Sequence, residues 1–462
     1  MSPVVTAPTT SEPHRYAKVP HLWALGVGAV IGGDFYGWQS ALVAGYLGML
    51  IILAFVTVLY VMLSFSIAEM ASMLPTGGGP YVFSLHAFGP RAAFFAGLAE
   101  TLKVIVTVAT TFYTIFLYMD SLFGLGGGSY SPLWSSLFCA VFVGLNSIGV
   151  EASFRVQVFA TVVSVAMLLV FYVGAATKLD YDANVVQQHM EFTTWSDAIQ
   201  GISFGLWFYF GIEELPLAAE ETIEPEKNVP RGLVASMLTL IVLSFCTATF
   251  STLIAPGAQG MATSTAPLVL GYRSVFGDTT TTSYFTWITV VGIISSTHSF
   301  VFCMGRLVFA VARAGYFPPW LATVHATRNT AYVALIAGGV LAQAIAITLH
   351  FAIGDVRLGG VLINLALIGG LVSYSFQLCS FIKLRVREPT RPRPYKSPFG
   401  VAGAVVGLVL CAVALFAIIY AGASNKDFRA SVVAAVEPHV LWATPLRAKE
   451  IRETLLSTQQ PV

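Results

Sequence analysis

Charge is what this chain has least of. Only 10% of its 462 residues are Asp, Glu, Lys or Arg, against about a quarter in soluble domains. Hydrophobic residues make up 56%, and mean hydropathy is +0.76. That balance excludes an ordinary soluble domain and points to a chain that crosses a membrane many times. A net charge of +1 gives no ground for a nucleic-acid partner. Cysteine is scarce as well. Cys139, Cys246, Cys303, Cys379 and Cys411 all fall in hydrophobic stretches without CxxC spacing, which argues against a metal site or disulfide frame and leaves them as small packing residues. A P-loop, a GxSxG elbow and a dinucleotide fingerprint in a fitting setting are missing too, so neither an enzyme nor a cofactor is expected. The run Gly77–Gly79 follows a span and is not a phosphate cradle. Residues 1–20 lack an apolar run with a cleavage site; polar and rich in Ser, Thr and Pro, they predict a disordered tail and not a cleaved signal peptide.

What is present is long hydrophobic runs. Crossing the hydrocarbon takes about 20 apolar residues, which places eleven spans near 22–44, 46–74, 92–119, 132–150, 156–176, 200–219, 232–255, 283–312, 331–353, 360–382 and 399–422. Basic residues gather on one side. With the N-terminus in the cytoplasm, that side holds Arg15, Lys18, Arg91, Arg155, Lys227, Arg231, Arg306, Arg313 and Arg328, then the run from Lys383 to Lys396. The opposite loops hold Lys178, Arg273 and Arg357. The positive-inside rule therefore predicts a cytoplasmic N-terminus. After Gly422 the chain turns polar. Ser431–Trp442 is too short to span and Leu446–Leu456 alternates charged and apolar residues like a short interfacial helix; whether a degenerate twelfth segment exists is left open.

Two spans are interrupted at corresponding places. Gly32-Gly33-Asp34 cuts the first, and Phe210-Gly211-Ile212-Glu213-Glu214 cuts the sixth. A carboxylate inside an apolar span is expensive unless it faces a cavity or a partner, and a broken helix leaves backbone groups that lipid does not satisfy. Paired breaks of this kind point to the midplane substrate site of a secondary transporter. Leu22–Ile31 forms a half-helix of about 15 Å, reaching mid-membrane. Asp34 has two compatible readings: an N-cap of the second half-helix, or the partner of a substrate ammonium. A fixed Asp repels a substrate carboxylate, so it argues for an amine without an acid group. Trp207 and Phe210 offer faces to a cation, with Glu213 and Glu214 beside them.

Other polar groups lie within spans. Glu100 and Lys103 share one face of the third span, either as a structural ion pair or as a proton relay. His298 titrates near neutrality when unperturbed, or it bonds a neighbouring backbone. Ser295 and Ser296 are either sodium ligands with carbonyls of the first break or helix-packing hydroxyls.

The motifs Gly28-Ala29-Val30-Ile31-Gly32-Gly33-Asp34-Phe35-Tyr36-Gly37-Trp38, Leu74-Pro75-Thr76-Gly77-Gly78-Gly79-Pro80-Tyr81 and Trp207-Phe208-Tyr209-Phe210-Gly211-Ile212-Glu213 resemble the amino acid–polyamine–organocation superfamily. So do Asn228-Val229-Pro230-Arg231-Gly232 and Arg306–Phe317. Within the superfamily, the chain is most similar to ethanolamine permeases. The resemblance covers about residues 20–422 and implies an all-α integral membrane fold, a five-plus-five inverted-repeat (LeuT-like) bundle with discontinuous helices 1 and 6. On that frame residues 1–20 are a cytoplasmic tail, 21–176 the first repeat and 177–199 an external loop. Residues 200–382 form the second repeat, 383–398 a basic cytoplasmic loop, 399–422 the eleventh span and 423–462 a polar tail. A lysine that replaces sodium in the fifth span of some relatives has no counterpart between Val156 and Ala176.

The expectation is a plasma-membrane permease for a small cationic amine, ethanolamine first, working by alternating access with H+ as coupling ion and Na+ as the alternative. Substrate contacts are expected from Gly32, Gly33, Asp34, Trp207, Phe210, Glu213 and Glu214; coupling from Glu100, Lys103, His298, Ser295 and Ser296. The rivals are a polyamine or amino acid permease of the same superfamily, and a membrane nutrient sensor without net transport. The bilayer and a small molecule are the only partners expected.

Overall fold

The computed structural model describes residues 15–123, 130–179, 192–264, 266–325, 328 and 330–424. The expected tails at 1–14 and 425–462, with the segments Ser431–Trp442 and Leu446–Leu456, and most of the 177–199 loop lie outside them. In chain order come α1 Val19–Val30, α2 Gly32–Phe35, a 3-10 segment Trp38–Ala44, α3 Gly45–Met73, α4 Pro80–Phe88, α5 Pro90–Phe123, α6 Ser131–Ile148 and α7 Val150–Ala176. Then follow α8 Trp195–Leu206, a 3-10 segment Ile212–Glu221, α9 Pro225–Thr252, α10 Gly257–Ala262, α11 Pro267–Phe276, α12 Thr280–Arg313, a 3-10 turn Pro319–Ala322, α13 Tyr332–Ile353, α14 Asp355–Arg387 and α15 Gly400–Ser424. Among the described residues there is no β-strand; one parallel bridge joins Ala17 to Thr222.

Nine helices among the described residues are long and apolar enough to cross a membrane. The other two expected spans, the first and the sixth, are the divided ones. Neither α1 nor α8, 12 residues each, is long enough to span alone. The sixth break begins earlier than its acidic residues suggest, at Trp207, and the 3-10 segment carrying Glu213 and Glu214 follows it. Three short helices, α4, α10 and α11, were not expected from hydropathy; all are too short to register in a spanning window.

Burial ranks the spans. The apolar window of α12 is 89% buried, those of α5 and α14 are 67% and 61%, and that of α6 is 28%. α5, α12 and α14 are therefore the most enclosed spans of the bundle, and α6 sits at the rim. α1 is held by a seam of neutral side chains on its carbonyls. Ser236 donates to Trp23 O, Thr161 and Gln157 to Ala24 O, Ser299 to Leu25 O and Ser296 to Gly28 O, at 2.8–3.4 Å. At one end of the bundle, Tyr16 and Ala17 N–H groups donate to Glu221 O at 2.8 Å, and Ile223 N–H returns to Ala17 O at 2.9 Å. Arg306 pairs there with Glu221 at 2.6 Å and Arg313 with Glu220 at 2.5 Å.

Candidate functional site

The two breaks face each other at backbone contact. A Cβ built on Gly33 would lie 2.5 Å from the Trp207 carbonyl oxygen, so only glycine lets the chains approach this closely. Gly211, at φ +111°, turns the sixth span in a conformation that L side chains avoid, and a Cβ there would meet the Phe300 ring at 2.5 Å. Pairing through the sixth break is thin: Trp207, Phe208 and Tyr209 donate three residues back at 3.2 Å, and Ile212 donates to Tyr209 O at 3.3 Å.

Between the breaks lies a narrow cavity. Gly32, Gly33 and Ser296 form its polar seam, Tyr36, Trp207, Phe210 and Phe300 its aromatic walls, and Thr111 and Thr114 of α5 add hydroxyls. The Trp207 and Phe210 rings stack at 5.3 Å. About 20 Å³ is open to water-sized molecules, room for about one water, so admitting a substrate requires the half-helices to move. Ser296 fixes the first break by accepting from Gly32 N at 2.8 Å and donating to Gly28 O at 2.9 Å.

Asp34 is placed differently from expectation. It does not cap a half-helix: α2 starts after Ile31 with no side-chain cap, and Asp34 is its third residue. Nor does it line the cavity. It is fully buried, and its Oδ1 accepts from Thr247 Oγ1 of α9 at 2.8 Å, beyond which the Tyr172 hydroxyl contacts Thr247 at 2.6 Å. The other oxygen has no hydrogen-bond partner among the described residues. The cause is local: Ile31 keeps helical dihedrals (φ −56°, ψ −24°) and the chain leaves helical conformation only at Tyr36 and Gly37, so Asp34 sits on a helical turn whose face meets α9 and not in an unwound segment.

Behind Phe210 sits a second polar group. Lys103 Nζ lies 2.7 Å from Glu100 Oε1, 2.6 Å from Glu213 Oε1 and 2.5 Å from Glu214 Oε1, with every side chain at 0–1% exposure. Tyr374 donates to Glu213 Oε1 at 2.5 Å, and Gly211 N–H to its Oε2 at 3.1 Å. The carboxylate oxygens of Glu100, Glu213 and Glu214 lie within 4.8 Å of one another, spacing suited to a metal ion; the Lys103 ammonium is the cation that holds them. That ammonium also lies 5.5 Å from the Phe210 ring centroid, so one ring separates the cluster from the cavity. For the two adjacent glutamates the sequence left open a protonated member, a pairing with Lys103 or a bound cation; the structure shows the pairing with Lys103 and adds Glu100 to it.

His298 lies apart from the cavity. Its Nε2 is 3.1 Å from Ser153 O, its Nδ1 is 3.2 Å from Asn146 Nδ2, and Ser153 Oγ donates to Asn146 Oδ1 at 2.9 Å. A proton on Nε2 and acceptance at Nδ1 satisfy every member, a tautomer assigned from the network, and this fits the backbone-bonding reading. Ser295 bonds Gln157 Nε2 at 2.9 Å and contacts Thr161 at 3.1 Å. Tyr374, Thr247, Gln157 and the α5 threonines were not singled out in the sequence. Only Thr111 and Thr114, three residues apart on one helix, carried a local signal.

Facing broken helices around a small cavity, inside an all-helical bundle of apolar spans, are the arrangement expected of a secondary transporter. Residues 20–436 match the family model described as amino acid permease, and the chain belongs to that family, within the amino acid–polyamine–organocation superfamily. It is 27% identical to an uncharacterized transporter of Rhizobium meliloti (strain 1021), over 86% of this chain and 85% of the relative. It is 26% identical to a branched-chain amino acid permease of Bacillus subtilis (strain 168), over 82% of each. The methylthioribose transporter of the same organism is 22% identical, over 84% of this chain and 85% of its own length.

Proposed function

We propose that the chain imports a small cationic amine, with ethanolamine as the type compound, by alternating access at the plasma membrane, coupled to H+ and with its N-terminus in the cytoplasm. The observation that carries this reading is the state of Lys103. Its ammonium, the one basic group placed beside the cavity among the described residues, already serves three carboxylates, so a substrate carboxylate finds no free cation. The aromatic walls suit an ammonium, a contact worth about 0.5–2 kcal/mol. Asp34 is bonded by one threonine and, among the described residues, paired with no basic side chain. Tilting of the first-span half-helices then turns Asp34 toward the amine, while Gly32 and Gly33 contact the hydroxyl. The similarity to a branched-chain amino acid permease favours a second reading, a small neutral amino acid.

Uptake of labelled ethanolamine into proteoliposomes, with putrescine, arginine and alanine as competitors and with or without sodium, separates these readings. The amine reading expects ethanolamine to compete best and Asp34→Asn to abolish its uptake. Unchanged uptake in that variant sinks the Asp34 contact, and binding without flux turns the chain into a sensor.

A further inference from the structure

Substrate recognition leaves the cluster behind Phe210 with more acid than it can hold. Glu213 is fully served as an anion, with Lys103, Tyr374 and the Gly211 N–H as donors, and it balances the one ammonium. Glu100 and Glu214 are different. Glu100 accepts one hydrogen bond, from Lys103, and its Oε2 is buried with none, while Glu214 lies against Lys103 with neither oxygen hydrogen-bonded among the described residues. The other titratable groups around them are Tyr374 on α14, Tyr60 on α3, Cys303 on α12 and Cys411 on α15. None of these is a base that carries positive charge. Two surplus ionised carboxylates in a protein interior within a bilayer carry a desolvation penalty of several kcal/mol each, so the packed state balances only when both hold a proton.

The four groups also sit on different bodies. Glu100 and Lys103 share α5 and stay together, whereas Glu213 and Glu214 ride on the 3-10 segment after the sixth break. Resting on the reading that this broken span moves during transport, we propose that Glu100 is the proton site of the cycle and Lys103 the switch that loads and unloads it. With the sixth span packed, Lys103 pairs with Glu213, and Glu100 keeps its proton. When the span withdraws, Lys103 loses Glu213. The Glu100 O–H bond then breaks, its proton passes to entering water, and the resulting carboxylate becomes the partner of Lys103. After the bundle opens to the opposite side, Glu100 takes a proton from water there and frees Lys103 for Glu213 as the span packs again, so one proton crosses per cycle at Glu100, while Glu214 keeps its own.

The test compares two fluxes in proteoliposomes: ethanolamine counterflow, which needs no gradient, and accumulation driven by an inward proton gradient with a pH-sensitive dye inside. Wild type should show both, with lumenal acidification. Glu100→Gln should keep counterflow and lose gradient-driven accumulation and acidification at least tenfold. Accumulation equal to wild type in E100Q overturns the assignment. Should E100Q fail to fold, Glu100→Asp keeps the acid but shortens its reach to Lys103. A displaced pH profile of accumulation then supports the switch, and an undisplaced one refutes it. Wild-type protein that moves alanine and not ethanolamine refutes the amine reading alone, and the same comparisons are then read with alanine.

Discussion

The contact between the two breaks can be probed by a single methyl group. Gly33→Ala sets a Cβ 2.5 Å from the Trp207 carbonyl oxygen, 3.2 Å from its carbonyl carbon and 3.4 Å from Phe208 Cα. All three are backbone atoms, so no rotamer change relieves the clash. Reaching ordinary contact means separating the half-helices by roughly 1 Å, and overpacking of this kind costs about 1–3 kcal/mol. Gly33 itself is not among the glycines with positive φ, so the penalty is steric. It falls on the packed conformation and is released when the breaks part. At about 1.4 kcal/mol per tenfold, the packed-to-open ratio should drop about 5- to 150-fold. Thermal unfolding in detergent should register lower stability, and a cysteine at the cavity residue Thr114 (Thr114→Cys) should react faster with an impermeant maleimide. Gly360→Ala is the control, because a Cβ at Gly360 meets nothing within 4 Å. If Gly33→Ala matches Gly360→Ala in both measurements, the breaks do not meet as described.

Lys103→Met leaves the buried Glu213 carboxylate without its cation and should destabilise the protein by about 3–5 kcal/mol, whereas Lys103→Arg should lose less; equal melting of the two variants in detergent would contradict the pairing. His298→Gln removes a ring bonded to Asn146 and Ser153, and a loss of about 1–3 kcal/mol is expected with the pH profile of uptake unchanged; a flattened profile would instead restore His298 to the coupling machinery.

Much of the architecture was visible in residue pattern because glycine and acid inside apolar runs have few explanations. The nine continuous spans lie close to their hydropathy windows, and the first and sixth expected spans are the broken ones. Side-chain direction was not legible. Asp34 meets Thr247 across a separation of 213 residues, and Glu213 meets Tyr374 across 161; no local periodicity encodes such partners. Asp34 marked the first interruption but could not be aimed, because the chain stays helical through Phe35 and opens only at Tyr36 and Gly37. Glu213 and Glu214 were correctly grouped as neighbours, yet their place after the sixth break depended on where unwinding begins, and Trp207 shows no sequence mark of that.

The neutral seam along α1 has a mechanical consequence. Each of its bonds to Trp23, Ala24, Leu25 and Gly28 carbonyls is an uncharged contact, worth about 0.5–1.5 kcal/mol net, and the donors come from three separate neighbours, α7, α9 and α12. Such a mount behaves as a bearing. Were α1 displaced, its fastenings could yield one after another, each handed to water or an adjacent oxygen, so its movement would meet a staircase of low steps and no single tall barrier.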